Sequence, residues 1–377
     1  MAPDFAWNSE DLAAFATTIS GFATSAGAAS AYTSYVSDAG SSTGSLFQQF
    51  AGIAASVGGK IQAFDDRVAT YLSTAGTELA NLRNYYVQAD ASTADALDAA
   101  VSDSTYYPNL PGGHEAGHYD NSMPNYNPYH TRPTHSYSGD PASALTTPSA
   151  SEPIPNLVDL IIDCAAGFVS PSTYVLGAME VLGIPNPLDW VYEKLAGDWN
   201  KAAVGGDALG HLADYHERLG VQLSNAKASV LGSWQGNSAA AMNSNFNRAI
   251  DTIDDMPAPL IDLKAQFENV ATGMYQHAQA VASQMVALLD LLIALGITLA
   301  AAASTSWTGW GLLAGLIAAA AEIAACTTVI SGILTLYELM EASINDMRAA
   351  AAADSMSFDG ITLPQLGRIP TYDSPFV

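Results

Sequence analysis

The 377-residue chain carries 12 lysine and arginine residues against 37 aspartate and glutamate residues, a formal net charge of −25. This balance argues against a nucleic-acid-binding protein and against a protein held on anionic lipid by a basic patch, because both need clustered cations. Apolar residues make up 49% of the chain and charged residues 13%, so there is ample material for a hydrophobic core. The first residues lack a basic and apolar leader, so we expect no cleaved secretory signal peptide.

Residues 1–104 show apolar side chains at alternating spacings of three and four, the pattern of a helix packed against other helices. One stripe runs through 12–29 and a second through 47–86, and the turn-forming residues 38–45 separate them. The pattern predicts an antiparallel helical hairpin. Arms of about 30 residues or more would reach about 45 Å or longer.

The rest of the chain divides into a linker, a second helical region and a tail. Residues 105–153 are rich in proline, tyrosine and histidine and have no apolar period, which predicts an extended linker. Residues 154–353 are helical in pattern, with a kink or restart expected near Asp255 because of Pro257 and Pro259. The tail, 354–377, is short and irregular. Strand alternation is not sustained, so the predicted fold class is all-α, with long antiparallel hairpins in an elongated bundle.

Residues 285–340 are strongly apolar, and both 286–303 and 311–336 are long enough to cross a bilayer. Each contains one acid, Asp290 and Glu322, and a carboxylate at mid-membrane costs about 3 kcal/mol. We therefore predict a hydrophobic C-terminal helical hairpin closed within the protein. The alternative is a hairpin that inserts into a membrane, in which the two acids would act as a pH gate.

His114, Glu115 and His118 match the H-E-x-x-H pattern of zinc metallopeptidases. That chemistry needs both histidines on one face of a rigid helix, with the glutamate as general base. Proline and glycine surround the motif and disfavour such a helix. We predict no enzyme activity, no cofactor and no metal site, and keep a zinc metallopeptidase as a remote alternative.

Two other pairs of residues are candidates for chemistry. His211 and His216 stand about one turn apart on a predicted helix, and we expect them on a packed, partly solvated face. Cys164 and Cys326 lie in apolar runs, which favours two buried thiols, with a single bridge between them left open.

Two short motifs stand at the ends of predicted helices. Trp234-Gln235-Gly236 lies between two long amphipathic segments, where glycine suits a reversal and Asn237 or Ser238 would cap the outgoing helix. Tyr86 and Asp90 are four residues apart near the end of the first hairpin, which places them on one helix face.

Together these motifs resemble those of WxG-type substrates of the actinobacterial type VII (ESX) secretion pathway. Residues 1–104 resemble a secretion-associated hairpin whose Y-x-x-x-D/E export signal matches Tyr86 and Asp90. Residues 185–345 resemble the helical export module of type VII polymorphic toxins, with Trp234 and Gly236 at its turn. The first hairpin has no W-x-G at its own turn, where Phe47 would be the apolar substitute. We expect no C-terminal enzyme domain in the short tail, so the resemblance does not imply direct toxicity.

The resemblance implies a type VII substrate or secretion-associated factor that acts by helix–helix interaction. It would be secreted or associated with the cell envelope, and a secretion ATPase or chaperone would read Tyr86 and Asp90. In this family an export signal works beside the W-x-G turn of a partner hairpin. Here the two marks fall in one chain, so we predict intramolecular pairing of hairpin 1–104 with hairpin 200–285. A separate WxG-type partner and a pore-type effector inserting 286–336 are the alternatives.

Overall fold

The computed structural model describes residues 7–38, 44–88, 139–165, 178–180, 182–183, 186–304, 309–359 and 363–364. Within these ranges the regular elements are helices and no strand is present, which confirms the all-α prediction. The helices are α1 (Ser9–Tyr32), α2 (Ser34–Ser37), α3 (Ser45–Gln88), a short 3₁₀ helix (Pro141–Ala144), α4 (Leu157–Ala165), α5 (Pro187–Leu195), α6 (Asn200–Leu231), α7 (Asn237–Asp254), α8 (Pro257–Ser304) and α9 (Gly309–Asp359).

The first helical hairpin has the predicted form, with α1 and α2 packed against the long helix α3. The side chain of Asn8 caps α1 by accepting hydrogen bonds from the backbone N–H groups of Glu10 and Asp11, at 2.8 and 3.2 Å. The apolar stripe positions of both arms are buried, from Leu12 to Ala29 and from Phe47 to Tyr86. The alternating spacing therefore identified the packed face of each arm.

The second helical region is built around α6, α7 and α8. The predicted restart is confirmed, because α7 ends at Asp254 and α8 begins at Pro257. Proline fits the first turn of a helix, where its missing N–H would have no helical partner. Helix α6 packs against both α7 and α8, and its buried stripe includes Leu209, Leu212 and Leu219.

The two helical regions pack against each other, and α3 and α6 run in the same direction. Near the start of both helices, Trp199 packs on Phe47 and Phe50, with ring centroids 5.0 and 6.0 Å apart. Further along both helices, Asp65 of α3 meets His216 of α6. Because the contacts advance together along the two helices, α3 and α6 are parallel and in register.

The C-terminal ends of α3 and α6 lie far from the connection between α8 and α9. Helix α9 runs back along α8, and Thr298 and Glu322 join the two by a hydrogen bond. The C-terminal part of α9 then follows α3, where Arg348 donates to Gln49 at 3.2 Å. From that contact toward their connection, α8 and α9 extend past the N-terminal end of α3. The α8–α9 connection and the C-terminal end of α3 are therefore at opposite ends of the molecule.

Candidate functional site

The turn between α6 and α7 is formed by Trp234, Gln235 and Gly236. Trp234 is buried, with 2% of its surface exposed, so its indole anchors the turn in the core. Gly236 has a φ of +122°, a conformation that residues with a side chain rarely adopt. Gly236 itself is the N-cap of α7. The expected cap at Asn237 or Ser238 is wrong, because the glycine conformation leads directly into α7.

Tyr86 lies at the C-terminal end of α3, and its side chain is 1% exposed. Its ring packs on Trp7 with centroids 5.1 Å apart, and nearby Arg83 donates to the carbonyl oxygen of Ser9 at 3.0 Å. These contacts of Tyr86 and Arg83 hold the C-terminal end of α3 against the N-terminal end of α1. Asp90 lies outside the described residues.

The register of α3 and α6 brings Tyr86 and the Trp234 turn to the same end of the bundle. Measured along the helix axes from the Asp65–His216 contact at 1.5 Å per residue, Tyr86 is about 32 Å away, and Leu231, the last residue of α6 before the Trp234 turn, is about 23 Å away. Both helices advance in the same direction from that contact. Tyr86 and the Trp234 turn therefore lie toward the same end of the bundle, although they belong to different halves of the chain.

A buried polar pair joins the two halves at the middle of this interface. Asp65 of α3 and His216 of α6 are both fully buried, and Asp65 Oδ1 lies 3.1 Å from His216 Nε2. Among the described residues, neither Asp65 Oδ2 nor His216 Nδ1 has a hydrogen-bond partner. Burial raises the pKa of the Asp65 carboxyl, and the attraction of His216 opposes this shift. His216 is thus a core residue, not part of the partly solvated face that we expected.

No protein-family model, curated protein or solved structure matches this chain. The assignment of a function therefore depends on the geometry of the chain itself.

Residues 139–151, which fall within the predicted linker, form a strap across α1 and α6. The backbone N–H of Ser149 donates to Asp207 at 2.8 Å, and Ser25 of α1 donates to Asp140 at 3.1 Å. Arg218 of α6 also donates to Ser143, at 3.1 Å. The strap therefore adds polar contacts that hold the first hairpin on α6.

Tyr32 is the central residue of this strap contact. Its hydroxyl donates to the carbonyl oxygen of Thr146 at 2.5 Å and lies 2.7 Å from His211 Nδ1. Burial, followed by the charge of Asp207, raises the pKa of the Tyr32 phenol, so it remains a protonated donor. His211 therefore lies beside the hydroxyl group that binds the strap.

Replacing Tyr32 with phenylalanine is expected to lower the free energy of unfolding by about 1–1.5 kcal/mol, because it removes the donor to Thr146. Urea denaturation measures this change. Tyr35→Phe is the matched control, since Tyr35 is a neighbouring tyrosine that is 42% exposed. Equal effects of the two substitutions would contradict the role given to the Tyr32 hydroxyl.

The two acids of the apolar region have different surroundings. Asp290 of α8 is exposed, whereas Glu322 of α9 is half-buried and accepts a hydrogen bond from Thr298 at 2.9 Å. The other carboxylate oxygen of Glu322 is buried. The two acids are therefore not equivalent, because only Glu322 of the two lies between α8 and α9.

An apolar pocket lies beside these helices, at the point where α5 covers them. It has a volume of about 240 Å³ and is lined by Trp190, Met285, Leu288, Ile330 and three further apolar side chains. Trp190 also packs edge-on against Tyr337, with centroids 5.6 Å apart. Helix α5 therefore shields the base of the apolar region but does not extend along it.

The other candidate residues predicted from the sequence are the H-E-x-x-H motif and the two cysteines. His114, Glu115 and His118 lie outside the described residues. Among the residues that are described, no group of three or more histidine, cysteine or acidic side chains could hold a metal ion. Cys326 is a buried free thiol, and the side chain of Cys164 is not described.

Proposed function

We propose that the protein is a substrate or secretion-associated factor of a type VII secretion pathway. The observation that carries the proposal is the position of Tyr86 and the Trp234 turn at the same end of the parallel helices α3 and α6. In the family that the sequence resembles, the export signal and the W-x-G turn belong to two paired hairpins. Here one chain supplies both of them.

The packing between the two halves supports an internally paired protein. Phe15 and Tyr71 of the first hairpin contact Phe246 of α7, with ring centroids 5.6 and 6.1 Å apart. Tyr71 also donates a hydrogen bond to Asn245 at 3.1 Å. A separate WxG-type partner would have to displace these contacts. The first hairpin therefore acts in this proposal as the built-in partner of α6 and α7.

A secretion ATPase or chaperone would recognise the end of the bundle where α3 ends and the Trp234 turn lies. The ring of Tyr86 is buried against Trp7, so its role is to fix the end of α3 in place. Val87, the next residue, is 58% exposed and belongs to the accessible surface of this end. The part assigned to Asp90 follows from its spacing to Tyr86.

The test is export from an actinobacterial host, measured in culture filtrate, cell envelope and lysate. We expect release that depends on the type VII ATPase and is lost in Asp90→Asn and Trp234→Ala. Tyr86→Phe keeps the packing on Trp7 and should retain release, whereas Tyr86→Ala should not. Tyr85→Ala is the matched control on the same helix turn, outside the Y-x-x-x-D spacing.

The folded state of each exported or retained variant is checked by circular dichroism, which separates a recognition defect from unfolding. Release in the strain without the ATPase, or retention of the wild-type protein in the cytosol, would overturn the proposal. Normal export of a folded Asp90→Asn variant would remove Asp90 from the signal.

A further inference from the structure

The outer parts of α8 and α9, residues 285–304 and 309–337, form a two-helix unit that we call the apolar hairpin. Three helical stretches of the described chain are long and apolar enough to cross a membrane, and they differ in burial. In the first stretch, at α1, 44% of the most apolar window is buried, against 17% in α9. The apolar surface of α1 is used by the core, whereas most of that of α9 remains exposed, so the expectation that this hairpin is closed within the protein is wrong.

The exposed surface of the apolar hairpin consists of large aliphatic side chains on both helices. Ile297 of α8 is 55% exposed, and Ile317 and Leu334 of α9 are 67% and 47% exposed. Large aliphatic side chains that are about half exposed or more, on two adjacent helices, favour an interaction site on this surface.

The length of the apolar hairpin fits a lipid bilayer. Residues 285–304 extend about 29 Å as a helix, close to the thickness of a hydrocarbon core of about 30 Å. In α9, Trp310 stands in the first turn and Tyr337 at the base, about 40 Å apart along the axis, which matches a bilayer with its polar interfaces. Aromatic residues are enriched at those two interfaces.

The charges of the apolar hairpin also fit this environment. It contains no lysine or arginine, and its acids are Asp290 and Glu322. Asp290 stands about 8 Å from Met285 along the helix, nearer to the base of the hairpin than to mid-span. Glu322 lies near mid-span, where it meets Thr298 of α8 instead of facing outward. Ionisable groups inside membranes are tolerated in such positions between helices.

We infer that the apolar hairpin inserts into a lipid bilayer as one unit, with Glu322 held against Thr298 inside it. The backbone groups of both helices are satisfied within each helix, as the hydrocarbon region requires. The net charge of −25 repels anionic lipid, so the preferred surface is zwitterionic phosphatidylcholine. This inference is independent of the proposed export route.

An environment-sensitive fluorophore on a single cysteine tests the insertion in the full-length protein. The label is placed at Ile317→Cys, in a background with Cys164→Ala and Cys326→Ala. The matched control is Val221→Cys on α6, which replaces another exposed aliphatic residue, 55% exposed, far from the apolar hairpin. With phosphatidylcholine vesicles we expect a blue shift and a gain in emission at 317 and no change at 221.

Vesicle flotation of the unlabelled protein provides a second measurement. Ile317→Asp should weaken binding by about tenfold or more, because it exposes a charge to lipid, whereas Val221→Asp should leave binding unchanged. Glu322→Gln should bind at least as well as wild type, since it loses a charge. Unchanged emission at 317, or an equal response at 221, would overturn the inference. So would a concentration-dependent shift at 317 without vesicles, which would indicate that a second copy covers the hairpin.

Discussion

Replacing His216 with alanine is expected to lower the free energy of unfolding by about 3–5 kcal/mol. The substitution leaves the Asp65 carboxylate fully buried with no partner from α6. It also removes a ring that packs on Phe64 with centroids 5.6 Å apart. Urea denaturation at neutral pH measures the loss. His277→Ala is the control, because His277 is a half-buried histidine on α8 and should cost about 1 kcal/mol or less.

The same pair sets an expected dependence on pH. Burial raises the pKa of Asp65 above its unfolded value of about 3.9, so the folded state binds the proton more tightly. The contribution of Asp65 to stability is then full below the unfolded pKa and is lost as the pH rises through the folded pKa. Asp65→Asn removes this titration. Its stability relative to wild type should therefore rise as the pH is raised from about 4 toward neutrality.

Two results would contradict this account of the pair. One is a stability difference between Asp65→Asn and wild type that stays constant over the whole pH range. The other is a His216→Ala variant no less stable than His277→Ala. Replacing both partners with leucine should cost far less than His216→Ala alone, because no uncompensated charge remains in the core.

The helices could be predicted from the sequence because their signals are local. Apolar residues at spacings of three and four define a buried face without reference to any other part of the chain. The break before Pro257 is equally local, since proline cannot continue a helix from the preceding turn. The position of the W-x-G turn between α6 and α7 followed from the two stripes that flank it.

The pairing of groups across the halves could not be predicted, because it depends on how the helices pack. The full burial of His216 was not predicted, and its partner Asp65 lies in a different half of the chain. Asp65 shares a face with Ile61 and Val68, and this was the one local signal that it points inward. The strap contact of Tyr32 with Thr146 has no sequence signal, since it joins a helix to a segment without periodicity.

Replacing Trp199 with alanine is the second substitution with a large expected effect, about 3–5 kcal/mol in the free energy of unfolding. Trp199 is 1% exposed and packs between Phe47 and Phe50, which belong to the other half of the chain. Its indole N–H donates to the carbonyl oxygen of Leu195 at 3.1 Å, so the ring is fixed in one orientation. Trp190→Ala is the control, because Trp190 is only half-buried and packs on Tyr337.

The Trp199 substitution also tests the internal pairing when the chain is cut. A protease site inserted between residues 105 and 138 allows the folded protein to be cleaved into its two halves. The wild-type halves should stay together during size-exclusion chromatography, because the interface includes the Trp199 rings, the Asp65–His216 pair and the strap. Trp199→Ala should weaken their association by about 100-fold or more, equivalent to about 3 kcal/mol. Immediate separation of the wild-type halves would mean that the covalent link, and not the packing of α3 on α6, holds them together.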